Sequence, residues 1–145
     1  MKIKNERRGI LENVKINVKI RLSALWVTLM LCYIYADILS LFSPGAVEEI
    51  IAGKMGPFPV TQGALLSAAI LMIVPALMVL LSLVLNSKAS RWTNIIIGIL
   101  FTFVSIGNLI GETWAYYLVF GFIEIVLTVL VVIYAWKWPK KGVLV

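Results

Sequence analysis

The sequence predicts an all-α integral membrane bundle of four transmembrane helices, and three observations predict it. Of 145 residues, 61% are hydrophobic and 14% charged, with a mean hydropathy of +1.00, whereas a soluble domain carries about a quarter charged residues. The charges gather between four apolar stretches, at 22–42, 63–85, 92–110 and 115–136. Each is long enough to cross ~30 Å of hydrocarbon at about 1.5 Å per residue. Finally, seven of thirteen Lys and Arg lie in residues 1–21, Lys88 and Arg91 sit in the second connection, and Lys137, Lys140 and Lys141 lie after the fourth stretch. Only Lys54 stands on the other side. That bias places both termini in the cytoplasm and disfavours insertion in two orientations.

In chain order, residues 1–21 form a basic arm, 22–138 a single four-helix transmembrane domain, and 139–145 a basic tail. Within the arm, Ile10, Leu11, Val14 and Val18 follow a helical stripe, while 15–21 alternate with period two. A short amphipathic helix leading into the first span is the preferred reading. The first span is too long for a signal-peptide core and lacks a small-x-small site after it, so it is expected to stay as an anchor.

The first connection, 43–62, is the long one and should be extracytoplasmic. Ser43-Pro44 offers an N-cap followed by a first-turn proline, and Gly53 offers a stop, bracketing an interfacial helix of about nine residues. Val47, Ile50 and Ile51 share one face of it, and Glu48 and Glu49 lie near the positive end of its dipole. Gly56-Pro57-Phe58-Pro59 then predicts an extended, rigid turn. Residues 86–91 and 111–114 read as short turns, which force antiparallel neighbours. Pro75, midway along the second span, should kink it. Gly98 and Gly107 are expected to let helices approach closely.

The chain contains no His and one cysteine, Cys32. This argues against zinc, haem, imidazole catalysis and intramolecular dithiol chemistry, so neither a cofactor nor a metal is expected. The net charge of +6 invites a nucleic-acid reading. Its confinement to one side points instead to anionic lipid headgroups.

Two carboxylates, Asp37 and Glu124, fall inside apolar runs. An ionisable group at that depth is costly and marks a functional site by default. Trp26, Met30, Tyr33, Asp37 and Ser40 share a face of the first helix. Thr102, Ser105 and Asn108 step by three along the third, and Tyr117, Gly121, Glu124 and Thr128 line one side of the fourth. Polar groups in hydrocarbon must find one another or water, so the stripes should turn inward. The expected result is an outward-opening pocket lined by Asp37, Glu124, Asn108, Tyr33 and Tyr117, with Glu112, Trp114 and Tyr116 at its mouth. No cation lies at that depth to pair with the acids, and desolvation and mutual repulsion favour a neutral, protonated form. Acids beside aromatic rings also attract organic cations. The bland alternative is that Glu124 simply fastens two helices through a hydrogen bond, while Glu112 is a solvated loop charge.

The runs Leu22-Ser23-Ala24-Leu25-Trp26, Tyr33-Ile34-Tyr35-Ala36-Asp37, Arg91-Trp92-Thr93-Asn94-Ile95 and Asn108-Leu109-Ile110-Gly111-Glu112 carry a resemblance. With Pro44-Gly45, Thr61-Gln62 and Tyr134-Ala135-Trp136, the chain over about residues 15–139 resembles an uncharacterised family of small prokaryotic four-helix membrane proteins. It is similar, more loosely, to the DoxX-like group, some of which are linked to quinone or sulfur redox chemistry. The close resemblance implies a multi-pass protein of a prokaryotic cell membrane and brings no assigned activity with it. The looser one matches no residues.

The resulting expectation is a protein that binds or transports a small molecule or cation with proton coupling, through a homo-oligomer if it transports. Two alternatives stand beside it: an accessory subunit docked to a protein partner, and a DoxX-like quinone-linked protein. No enzymatic residue set is read.

Overall fold

A computed structural model describes residues 14–56 and 58–139. Four long helices, α1 (Val18–Ser40), α3 (Gln62–Val84), α4 (Ser87–Asn108) and α5 (Ala115–Trp136), are each long and apolar enough to cross a membrane. Between α1 and α3 lie a short helix, α2 (Ala46–Ile51), and a hairpin of β1 (Lys54–Met55) and β2 (Phe58–Pro59). Helix α1 packs on α3 and α5, and α4 packs on α5 and more lightly on α3. The ring order is therefore α1, α3, α4, α5, with neighbours antiparallel. The hairpin and the 109–114 loop share one end. Residues 85–86 and the segments flanking α1 and α5 on their terminal sides share the other.

Side-chain caps set three of the helix starts. Asn17, Thr61 and Asn86 accept the backbone N–H of Lys19, Ala64 and Ala89 at 2.9, 3.1 and 2.9 Å, each satisfying a donor that a helix start leaves orphaned. Two of these starts differ from the apolar limits. Helix α1 begins at Val18 rather than 22, and α4 begins at Ser87, so the expected 86–91 turn is already the first turn of a helix. Apolar runs measure what hydrocarbon tolerates, whereas caps decide where the helix begins. Residues 14–17 are not helical. The remainder of the expected amphipathic helix, and the cations before residue 14 and after 139, lie outside the described residues.

The short helix is also tighter than expected. Its N-cap is Gly45 at φ 85°, not Ser43, and it runs six residues. Ser43 instead accepts the Ala46 N–H through its carbonyl at 3.1 Å, closing a turn ahead of the helix. Gly53 (φ 72°) and Gly56 (φ 57°) adopt the left-handed region where the chain leaves α2 and rounds the hairpin. Met55 pairs with Phe58 and Lys54 with Pro59, the extended geometry expected around a Gly-Pro turn; Pro57 itself lies outside the described residues.

The interior is filled by Leu22, Trp26 and Leu29 from α1, Met78 from α3, Ile95 and Phe101 from α4, and Val131 and Ala135 from α5. Trp26 meets Phe101 edge-on across the bundle, ring centroids 6.1 Å apart. The outer faces carry exposed Leu, Ile, Val and Phe, as lipid contact requires, and α3 is the most outlying helix, burying only Pro75, Met78 and Ser82. It continues through Pro75 without a break.

In lipid, apolar burial does not drive helices together; close packing and interhelical hydrogen bonds do. Both occur here. A Cβ on Gly98 would stand 2.8 Å from Val132 Cγ2 and 3.5 Å from the Thr128 carbonyl, so this glycine sets the α4–α5 approach. Thr102 bonds Thr128 across the same seam at 2.9 Å. Gly107 has nothing within 4 Å of such a Cβ, and the expected close approach does not occur there.

Candidate functional site

The hairpin end encloses a cavity of about 560 Å³. Its floor and walls include Asp37 and Ser40 of α1, Glu49 of α2, Lys54 of β1, Glu112 of the 109–114 loop, and Trp114, Tyr116 and Tyr117 leading into α5. Three carboxylates and one ammonium thus face one space. Position 37 reaches it because it lies one turn beyond Tyr33 and next to Ala36, the last buried residue of α1, where the helix emerges from the core and Asp37 is itself exposed. Ser40, a further turn out, donates to the Asp37 carbonyl at 2.6 Å.

Aromatic side chains form one wall. Tyr116 lies between Trp114 (tilted, 6.3 Å) and Tyr117 (edge-on, 6.1 Å), and its hydroxyl lies 3.3 Å from Ser43 Oγ, which ties the start of α5 to the turn before α2. Glu112 is held in place from below. Its Oε1 accepts the N–H groups of Thr113 and Trp114 at 2.7 and 2.8 Å, replacing the cap that Trp114 cannot supply.

Below the mouth lies a second group. Glu124 is buried at mid-height on α5, with only 5% of its surface exposed. Its carboxyl sits beside the Ser105 hydroxyl of α4, and Ser105 Oγ lies 3.3 Å from Tyr33 Oη of α1. Three helices therefore contribute one polar group each to a single level of the core. Asp37 and Glu124 lie within electrostatic reach of each other, and Tyr117 lies within reach of both. Gly121, one turn above Glu124, leaves room that Leu109 fills: a Cβ there would overlap the Leu109 side chain.

The residues singled out from the sequence divide accordingly. Asp37, Tyr117 and Glu112 line the mouth with Trp114 and Tyr116; Glu124 and Tyr33 lie beneath it; all are on the α1–α5 side of the bundle. Asn108 is not brought in. It is exposed at the last residue of α4 and lines none of the cavity, because the inward place beyond Ser105 goes to Leu109. Ser105 takes the part expected of Asn108. Sequence spacing had placed Ser105 on the stripe without showing that it, rather than the larger amide, meets the acid. Glu49, Lys54 and Ser43 were not anticipated; the lone basic residue of the long connection was the available signal for Lys54.

A separate polar network occupies the other half of the core. Asn94 accepts from Trp26 Nε1 at 2.7 Å and from Ser82 Oγ at 3.1 Å, and donates to the Ser90 carbonyl at 2.7 Å. Ser90 Oγ donates to the Ser82 carbonyl at 3.0 Å. The amide of Asn94 thereby joins α1, α3 and α4 with no solvent contact. Ser90 and Asn94, one turn apart at the start of an apolar run, were not singled out, since an amide there reads equally well as an interfacial residue.

Fold and cavity describe an all-helical chain with four potential spans, consistent with a multi-pass membrane protein, and with an acidic chamber at one end. The chain belongs to DUF6326, a family of unknown function whose model matches residues 10–144. No curated protein and no solved structure matches it.

Proposed function

We propose that this protein binds a small organic cation in the acidic mouth, from the extracytoplasmic side of a prokaryotic cell membrane, and couples that binding to a proton held at Glu124. The observation that carries the reading is the arrangement of acids in depth: Glu49, Glu112 and Asp37 around a cavity of about 560 Å³, with Glu124 buried in the core beneath it. Asp37 supplies the charge that holds a cation at the floor. Trp114, Tyr116 and Tyr117 offer ring faces to it, and Lys54 at the rim selects against divalent or poorly fitting cations by repulsion.

A cation arriving at Asp37 is electrostatically unfavourable to a proton on Glu124 and favourable to its departure, which gives linked exchange rather than simple binding. Tyr33 and Ser105 are the groups that receive or return that proton's hydrogen bond. Four helices enclose little volume, so passage across the membrane would use a homo-oligomer. The basic residues flanking α1, α4 and α5 support a reading with the terminal end in the cytoplasm and the chamber outside.

The test is ligand-induced thermal stabilisation with a panel of small amines and quaternary ammonium ions, together with proton-coupled uptake in proteoliposomes. The parent should respond to at least one cation. Asp37→Asn should weaken binding at least tenfold, and Glu124→Gln should preserve binding while abolishing its proton dependence. If both variants bind as the parent does and lose only thermal stability, the acids are helix fasteners and the reading fails.

A further inference from the structure

The terminal end of the bundle carries two adjoining cavities of about 380 and 180 Å³ that share Lys15, Ile16, Val18 and Pro139. Asn17, Lys19, Ser87 and Trp138 complete the first, and Arg21, Tyr134 and Lys137 the second. Four cations therefore line one continuous cleft, and no carboxylate lines it among the described residues. This is the charge opposite to that of the chamber at the other end.

Two of the cations are held in place by neighbouring groups. Lys19 donates to the carbonyls of Leu83 and Leu85 at the end of α3, leaving a third donor on its ammonium. Arg21 lies over the Tyr134 ring at 5.6 Å, which fixes its guanidinium while leaving its fork of donors open. Lys15 and Lys137 extend from non-helical backbone on either side. The walls between them are apolar and aromatic (Ile16, Val18, Tyr134, Trp138), and exposed Ile20 continues that surface along α1. Such a cleft at the ends of apolar spans sits where headgroups meet acyl chains.

We propose that this cleft binds the phosphate headgroup of an anionic phospholipid, with the acyl chains running along the apolar outer face of α1 and α5. The mixed lining favours a lipid over a free anion, because Ile16 and Trp138 contribute nothing to holding inorganic phosphate. The site is independent of the cation reading at the opposite end.

The test is native mass spectrometry of the purified full chain titrated with phosphatidylglycerol or phosphatidylcholine. The parent should retain phosphatidylglycerol in preference. Lys15→Gln with Lys137→Gln should weaken that retention on the order of 30-fold, the effect of two interfacial cations. Lys88→Gln, on α4 and outside the cleft, should leave it unchanged, and millimolar inorganic phosphate should not displace the lipid. Equal retention of phosphatidylcholine, an unaltered double variant, or an equal loss in Lys88→Gln would overturn the proposal. So would displacement by phosphate, which would make the site one for a soluble anion.

Discussion

Asn94 shows how one side chain decides whether a polar core is an asset. Its amide is fully buried and makes bonds to groups from three helices, and Trp26 Nε1 has it as the partner at 2.7 Å. Replacing Asn94 with Ala orphans the indole N–H, whereas the Ser82 hydroxyl keeps the Met78 carbonyl and the Ser90 carbonyl keeps the Thr93 hydroxyl. The expected loss is about 1–3 kcal/mol, the cost of orphaning a buried donor. Reversible unfolding in mixed micelles measures it. Trp26→Phe removes the donor instead, so the double variant should lose less than the sum of the singles, and strict additivity would show that the bond contributes nothing. The acids were legible at this same scale because a carboxylate in an apolar run is rare enough to stand out. Asn94 was not, since an amide near a helix end reads equally well as an interfacial residue. Asn108 shows the converse error: it followed the correct spacing, but the helix ends there and the chain turns it outward.

Between elements, the seam of α4 and α5 is governed by which glycine lies beneath a neighbour. Gly98→Ala places a methyl 2.8 Å from Val132 Cγ2, with the Thr128 carbonyl immediately behind. Val132 must then leave its rotamer or one of the two helices must move, and overpacking of this kind costs about 1–3 kcal/mol. Gly107→Ala meets open space and removes a flexible residue from the last turns of α4, so it should be neutral or stabilising by up to about 1 kcal/mol. Thermal unfolding of the two variants side by side checks this; equal effects would mean that the seam tolerates an extra methyl. The sequence offered both glycines as close-approach sites, and nothing local separates them. Helix periodicity says which residues share a face, and it predicted the buried lines Trp26–Tyr33 on α1 and Gly121–Thr128 on α5. It is silent on which partner helix stands over each position. The ring order is partly implied by short connections, but the α1–α5 contact that brings Asp37 toward Glu124 is a closure across the whole chain, and no local signal encodes it.

The whole molecule is polarised. Cations surround the terminal end, acids line the cavity at the hairpin end, and two separate polar networks divide the core between them. Such an arrangement makes orientation in the membrane the property on which every functional reading depends. If the terminal end faces the cytoplasm, the acidic chamber samples the outside and the basic cleft meets the inner leaflet; inversion exchanges both. Lys54 and Lys88 are suitable reporters because each is exposed and they occupy opposite ends. With Cys32 replaced by Ser, a single cysteine at position 54 should react with a membrane-impermeant maleimide in intact cells. A single cysteine at 88 should react only after permeabilisation. The reverse pattern would place the chamber in the cytoplasm and would remove the basis for cation uptake from outside, while leaving the internal geometry of Asp37, Tyr33, Ser105 and Glu124 untouched. Labelling of both positions in intact cells would show two orientations in one population. That outcome would mean that twelve cations against one do not suffice to orient so small a bundle, against the charge asymmetry from which the topology is inferred.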